Sequence, residues 1–146
     1  MKDRNSELCG GPLNEIPTLN ASSLAPGVIK RIVFGPGKFL DDWVLRYFIL
    51  PAGESIPPHS HPWNHFVVSL AGKGRLWTED GVLDLSTGNW GRVPPNVEHI
   101  FDNPGDEDFA FLCMVPWDGD PDSKKTRMRA ERRKKKENIS KETGAK

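Results

Sequence analysis

The stretch from Gly53 to Gly72, GESIPPHSHPWNHFVVSLAG, holds three of the chain's four histidines: His59, His61 and His65. The fourth, His99, lies in a second segment from Gly88 to Asn103, GNWGRVPPNVEHIFDN. Side chains alternate across an extended backbone, so His59 and His61 project from one face toward a common point. Pro58 ahead of the pair and Pro62 and Trp63 behind it interrupt the regular run. A bend there brings His65 to the same point from the start of the next strand. From His65 onward, FVVSL reads as a buried strand.

Outward from this stretch, the sequence is a series of short strands separated by turn signals. VIKRIVF (Val28 to Phe34) alternates, and GPGK then turns the chain. WVLRYFIL (Trp43 to Leu50) is almost wholly apolar, as a strand packed on both faces requires, and Pro51-Ala-Gly53 ends it. RLWTE leads into Asp80-Gly81, the strongest hairpin signal in the chain, and Val82 to Leu85 pairs back. After the turn at Ser86 to Asn89 and the second histidine segment, Pro104-Gly105 introduces the last strand, FAFLCMVPW. Five Trp and seven Phe among 146 residues supply one core, while 14 Gly and 13 Pro suit many turns. These signals, with no helix among them, imply an all-β barrel or jelly roll over residues 28–118. Residues 1–27, with Pro12, Pro17 and Pro26, read as a polar arm, either loop or a strand lent to a partner subunit.

The spacing of the two segments resembles the paired motifs of the cupins. The first motif is Gly, five residues, His, one, His, three or four, Glu, six, Gly. Gly53, His59, His61, His65 and Gly72 reproduce it with His65 in the Glu position. The second is Gly, five, Pro, one, Gly, two, His, three, Asn; Gly88, Pro94, Asn96, His99 and Asn103 reproduce it with Asn96 in the second Gly position. Asn tolerates a left-handed backbone better than most residues, so that exchange threatens little, whereas His65 changes the ligand set. HSHPWNH is similar to small single-domain cupins with four-histidine sites. The resemblance covers roughly Val28 to Trp117 and implies a double-stranded β-helix, or jelly-roll, barrel.

It also implies that His59, His61, His65 and His99 bind one divalent transition metal. Four neutral imidazoles leave the ion its full charge, and on an octahedral ion they leave two positions open for a small-molecule substrate and for dioxygen or peroxide. Imidazole donors suit Fe, Cu, Ni and Zn, and octahedral Mn also fits, so the metal stays undecided. Candidate pocket residues are Arg46, Trp63, Phe66, Phe101, Phe111 and Cys113. Arg46 is the single charge in its strand and either faces the cavity or forms a structural pair. Cys113, on one face with Phe111 and Val115, is either a small buried apolar residue or a pocket thiol. Asn64 and Glu98 are candidate partners for an imidazole.

Three functions remain: an oxygenase acting on a small organic substrate, a metal-dependent lyase or isomerase, and a non-enzymatic binding protein. The first is preferred, because a metal held only by neutral donors retains charge that stabilises an oxidised or enolate-like species. A homodimer paired through apolar strands is expected. The two cysteines, Cys9 and Cys113, lie far apart and no apolar leader run is present, so a cytoplasmic protein with reduced thiols is expected. The Asn20 and Asn138 sequons then carry no glycan. No stretch is long and apolar enough to span a membrane. The zero net charge hides an asymmetry: residues 119–146 carry 11 Lys and Arg against five Asp and Glu, leaving the remainder acidic. This basic tail reads as a solvated segment, helical from Ser123 to Glu137 or disordered. Nucleic-acid binding is the weaker reading, since no aromatic side chain is interleaved to stack on bases.

Overall fold

The computed structural model describes residues 6–143, so the first five residues of the expected arm and the last three of the expected tail lie outside the described residues. Among the described residues, ten strands form two antiparallel sheets. The larger contains β1 (Leu19–Asn20), β2 (Ile29–Phe34), β3 (Trp43–Leu50), β5 (His65–Ala71), β8 (Trp90–Val93) and β10 (Phe109–Pro116), in the order β1-β2-β3-β10-β5-β8. The smaller contains β4 (Ser55–His59), β6 (Lys73–Thr78), β7 (Gly81–Ser86) and β9 (His99–Asp102), in the order β4-β9-β6-β7. The chain crosses between sheets repeatedly, as the expected jelly roll requires.

Strand parity decides what reaches the interior. In β10, Phe109, Phe111, Cys113 and Val115 are buried in alternation, opposite Leu50, Phe48, Arg46 and Val44 of β3. Phe111 stacks on Phe48 at 5.6 Å and on Phe101 of the other sheet at 5.3 Å, with the latter rings 9° from parallel. This aromatic stack joins the two layers. The same parity turns Phe66 outward, where it meets Trp43 at 6.3 Å, so it is not a pocket wall as expected. Trp43, Phe66, Val68 and Trp90 leave apolar surface exposed on the larger sheet.

The motif glycine and asparagine positions have separate structural causes. Gly72 sits at φ 88°, and a Cβ there would run into the Asp108 carbonyl, so only glycine fits. Asn96 stands at φ 65° in the second motif's glycine position, and its N–H donates to the His61 carbonyl at 2.7 Å, tying the two motif loops together. Buried Asn103 donates through Nδ2 to the Leu50 and Glu107 carbonyls, while its Oδ1 accepts from the Gly105 amide.

β1 pairs with β2 of its own chain, so the arm adds a short edge strand to its own sheet. The basic segment is helix α1, Pro121–Glu142, with Pro at its start and Asp120 capping the Ser123 amide at 3.0 Å. Most of the helix is exposed, but its origin is not: Asp120 is fully buried. Its Oδ1 lies 2.6 Å from Lys30 Nζ and 3.2 Å from Arg46 Nη1, and Lys30 also pairs with Asp122 at 2.7 Å. No helix among the described residues is long and apolar enough to cross a membrane.

Replacing Asp120 by Ala leaves two buried cations without their shared carboxylate and should lower the unfolding free energy by about 3–5 kcal/mol in urea titrations. Removing residues 135–146 takes away only exposed positions among the described residues and should change it by less than about 0.5 kcal/mol.

Candidate metal centre

Three of the four histidines bring their ring nitrogens together. His59 ends β4 and pairs in register with His99 at the start of β9, and His61 follows in the connecting loop. One nitrogen from each of His59, His61 and His99 falls within 4.8 Å of the others. Each ring is oriented by a local backbone bond: Nδ1–H of His59 donates to Pro57 O at 3.0 Å, that of His61 to Trp63 O at 3.1 Å, and that of His99 to Val97 O at 2.8 Å. A carbonyl only accepts, so Nδ1 carries the proton and Nε2 is left as the lone-pair donor. His99 Nε2 is buried with no hydrogen-bond partner. A lone pair kept bare in the interior, beside two equivalent ones, fits a divalent transition metal.

His65 lies beside this group but is engaged elsewhere. Its ring centre is 5.3 Å from that of His61 and 5.6 Å from that of His99, while its Nε2 meets Cys113 Sγ. Cys113 in turn accepts from Arg46 Nη2 at 2.8 Å, and Arg46 reaches Asp120. Arg46 is therefore both cavity-facing and ion-paired, and Cys113 is both buried and pocket-lining. Trp63 stacks on His61 at 4.8 Å, with the rings 5° from parallel. Asn64 accepts from Arg92, and Glu98 is exposed, so neither orients an imidazole. Backbone carbonyls have that role instead, and a carbonyl leaves no trace in side-chain composition.

The centre opens onto a cavity of about 340 Å³. Phe48, Ile56, Phe101 and Phe111 form apolar walls, and Arg46 and Cys113 lie on its larger-sheet side. Ala21 and Leu24 of the arm and Pro121 and Lys125 of α1 also line it, so segments flanking the barrel complete the enclosure. Burial holds the His65 imidazole well below its ordinary pKa, with the Arg46 charge adding to the effect. Burial likewise pushes His99 down to about 4, and lowers His61 against the opposing bond to Trp63. Burial raises the Cys113 thiol while Arg46 opposes it, keeping the sulfur protonated.

Residues 46–115, from β3 to β10 and including all four histidines, match the Cupin_2 family, described as a cupin domain. This segment, just under half of the chain, is thus similar to a cupin domain. The polyketide cyclase RemF from Streptomyces resistomycificus superposes with a TM-score of 0.67 at 21% identity, covering 75% of this chain and 80% of that one. A cupin-2 domain protein from Rhodospirillum rubrum gives 0.62 at 24% identity, covering 74% of each chain. A predicted oxalate decarboxylase from Thermotoga maritima gives 0.63 at 19% identity, covering 70% and 94%. At these identities the likeness is one of fold. Among curated proteins, none matches the chain.

Because the folded rings refuse protons that the unfolded chain accepts, their stabilising contribution is complete above the unfolded histidine value of about 6.5. It is lost as pH falls from there toward about 4, the His99 value. The metal-free protein should therefore show a lower urea midpoint near pH 5 than near pH 7.5, and replacing His99 by Gln should shrink the difference. Equal midpoints in the parent protein would contradict the buried-neutral assignment.

Proposed function

We propose that this chain is a metal-dependent oxygenase acting on a small organic substrate, with His59, His61 and His99 as the metal donors and His65 as a fourth imidazole beside them. The observation that carries the reading is the donor chemistry: the converging side chains are all neutral imidazoles, fixed through Nδ1, at the head of an apolar cavity. A divalent transition metal bound there would supply Lewis acidity and, where redox-active, electron transfer with dioxygen or peroxide. The protein's own contribution is positional. The carbonyl bonds hold three Nε2 atoms in place, the aromatic walls exclude water, and Cys113 with Arg46 fixes His65. Among the described residues no carboxylate joins the histidine group, and Asp122, which lines the same cavity, is paired with Lys30, so proton movement near the centre falls to imidazole or to the substrate.

A second reading is a metal-dependent cyclase, lyase or isomerase using the same centre purely as a Lewis acid, favoured by the fold likeness to a polyketide cyclase. A binding protein without turnover is the third. The apolar outer face around Trp43, Phe66, Val68 and Trp90 supports a homodimer.

Oxygen uptake or peroxide consumption by the Mn, Fe and Cu forms, measured against phenolic alkenes, flavonols and diketones, tests the first reading. Turnover by the zinc form alone would transfer the assignment to the second, and no turnover by any form to the third. Replacing any two of His59, His61 and His99 by Ala should abolish stoichiometric metal binding in elemental analysis, whereas His65→Ala should weaken it less than His99→Ala. Sedimentation velocity should report a dimer that Phe66→Lys together with Trp90→Lys converts to a monomer.

A further inference from the structure

Three side-chain nitrogens on the cavity's own residues are buried without partners: the ring Nδ1 of His65, and the two fixed N–H donors Arg46 Nε and Trp63 Nε1 that the inference concerns. The arginine and tryptophan nitrogens are N–H groups that cannot accept, so only an acceptor satisfies them. Both residues line the same cavity. Trp63 stands against His61, and Gly119 lies so close that a Cβ there would come within 2.9 Å of the indole nitrogen. Arg46 lies across β3, separated from His65 only by the Cys113 sulfur that both contact. Its guanidinium is held in place from two directions, by Asp120 on Nη1 and by Cys113 on Nη2, and packs 5.0 Å from the centre of the Phe48 ring. The Nε edge is left over. At the mouth, exposed Lys125 has no ion pair among the described residues, while Lys30 is already shared between Asp120 and Asp122. The nearby charge of either sign is thus paired except for the lysine at the entrance.

We infer that the cavity binds a small molecule with an apolar, planar body and a carboxylate or related oxyanion, the oxyanion accepting from Arg46 Nε and Trp63 Nε1. The apolar walls formed by Phe101 and Phe111 take the body. The oxyanion then lies near the histidine centre but is held by the protein's own donors, so the molecule is oriented before the centre acts on it. Arg46 and Trp63 are specificity-determining residues in this account, and Lys125 draws anions to the entrance. The inference deepens the proposed function and rests on that reading in taking this cavity as the substrate site.

Calorimetric titration with cinnamate and with cinnamyl alcohol separates the oxyanion from the shared apolar body. Both the protein as purified and the chelator-treated protein, its fold checked by circular dichroism, should bind the carboxylate about tenfold or more tightly than the alcohol, as one charge-assisted hydrogen bond implies. Trp63→Phe keeps the ring, and Arg46→Lys keeps a cation for Asp120; each should weaken cinnamate several-fold and leave the alcohol unchanged. Equal binding of the two ligands by the unsubstituted protein would overturn the inference. So would a preference that appears only with metal present and survives both substitutions, since the oxyanion would then sit on the histidine centre. Because the readout is binding in the absence of metal, failure of oxygen uptake leaves this result standing and refutes only the oxygenase reading.

Discussion

The carboxylate of Asp120 is the constraint on which the rest of the arrangement depends. Lys30 and Arg46 project into a β-domain interior whose neighbours are Phe48, Phe111 and Val115, a setting in which an isolated cation would be strongly disfavoured. Burial by itself would raise the Asp120 carboxyl, yet Arg46, Lys30 and the Ser123 amide together pull it below its usual range. The two cations and the helix cap are therefore stabilised by one group. From Asp120 the contacts run without interruption through Arg46 and Cys113 to His65, so the start of helix α1, one side of the cavity and the fourth imidazole are positioned together. A displacement at the helix start would leave Arg46 short of its acceptor and free to re-pair within the cavity.

The histidine group is held by a different and more local device. His59 and His99 donate to carbonyls two residues before them, and His61 to one two residues after it. Such bonds require the correct loop conformation but no distant partner, so each ring is oriented as soon as its segment is extended. Long-range order enters through the β4–β9 register, which sets His59 opposite His99, and through the Asn96 amide on the His61 carbonyl. Orientation before ligation lowers the entropy lost when a metal binds and fixes which nitrogen is offered.

Much of this was legible in the sequence because it depends on parity and spacing. The alternation of FAFLCMVPW places Phe111, Cys113 and Val115 on one face, and the motif spacing predicts the left-handed conformation that Asn96 adopts at φ 65°. The same parity argument, applied from His65, already puts Phe66 on the outside. Other parts had no readable signal. The acceptors for the imidazoles are peptide carbonyls, which every residue has, so Asn64 and Glu98 drew attention only because their side chains are polar. The single charge in WVLRYFIL announced that Arg46 needs a partner, but Asp120 is 74 residues away and begins a segment that reads as a solvated basic tail. Composition averaged over that segment hides one buried aspartate, since burial is a property of the fold.

The departure at position 65 and the buried ion pair explain each other. His65 borders both the histidine group and the Cys113–Arg46 contact. A glutamate there would bring a carboxylate next to the guanidinium, where it would compete with Asp120 for Arg46 and leave the helix cap and Lys30 with a weaker hold. A neutral imidazole does not compete, and burial beside Arg46 keeps it neutral. The all-nitrogen character of the candidate centre and the attachment of helix α1 to the barrel thus follow from the same choice of residue. Restoring a glutamate would change both the charge available to a metal and the partner available to Arg46, so an altered metal preference and a loosened helix start are physically one effect.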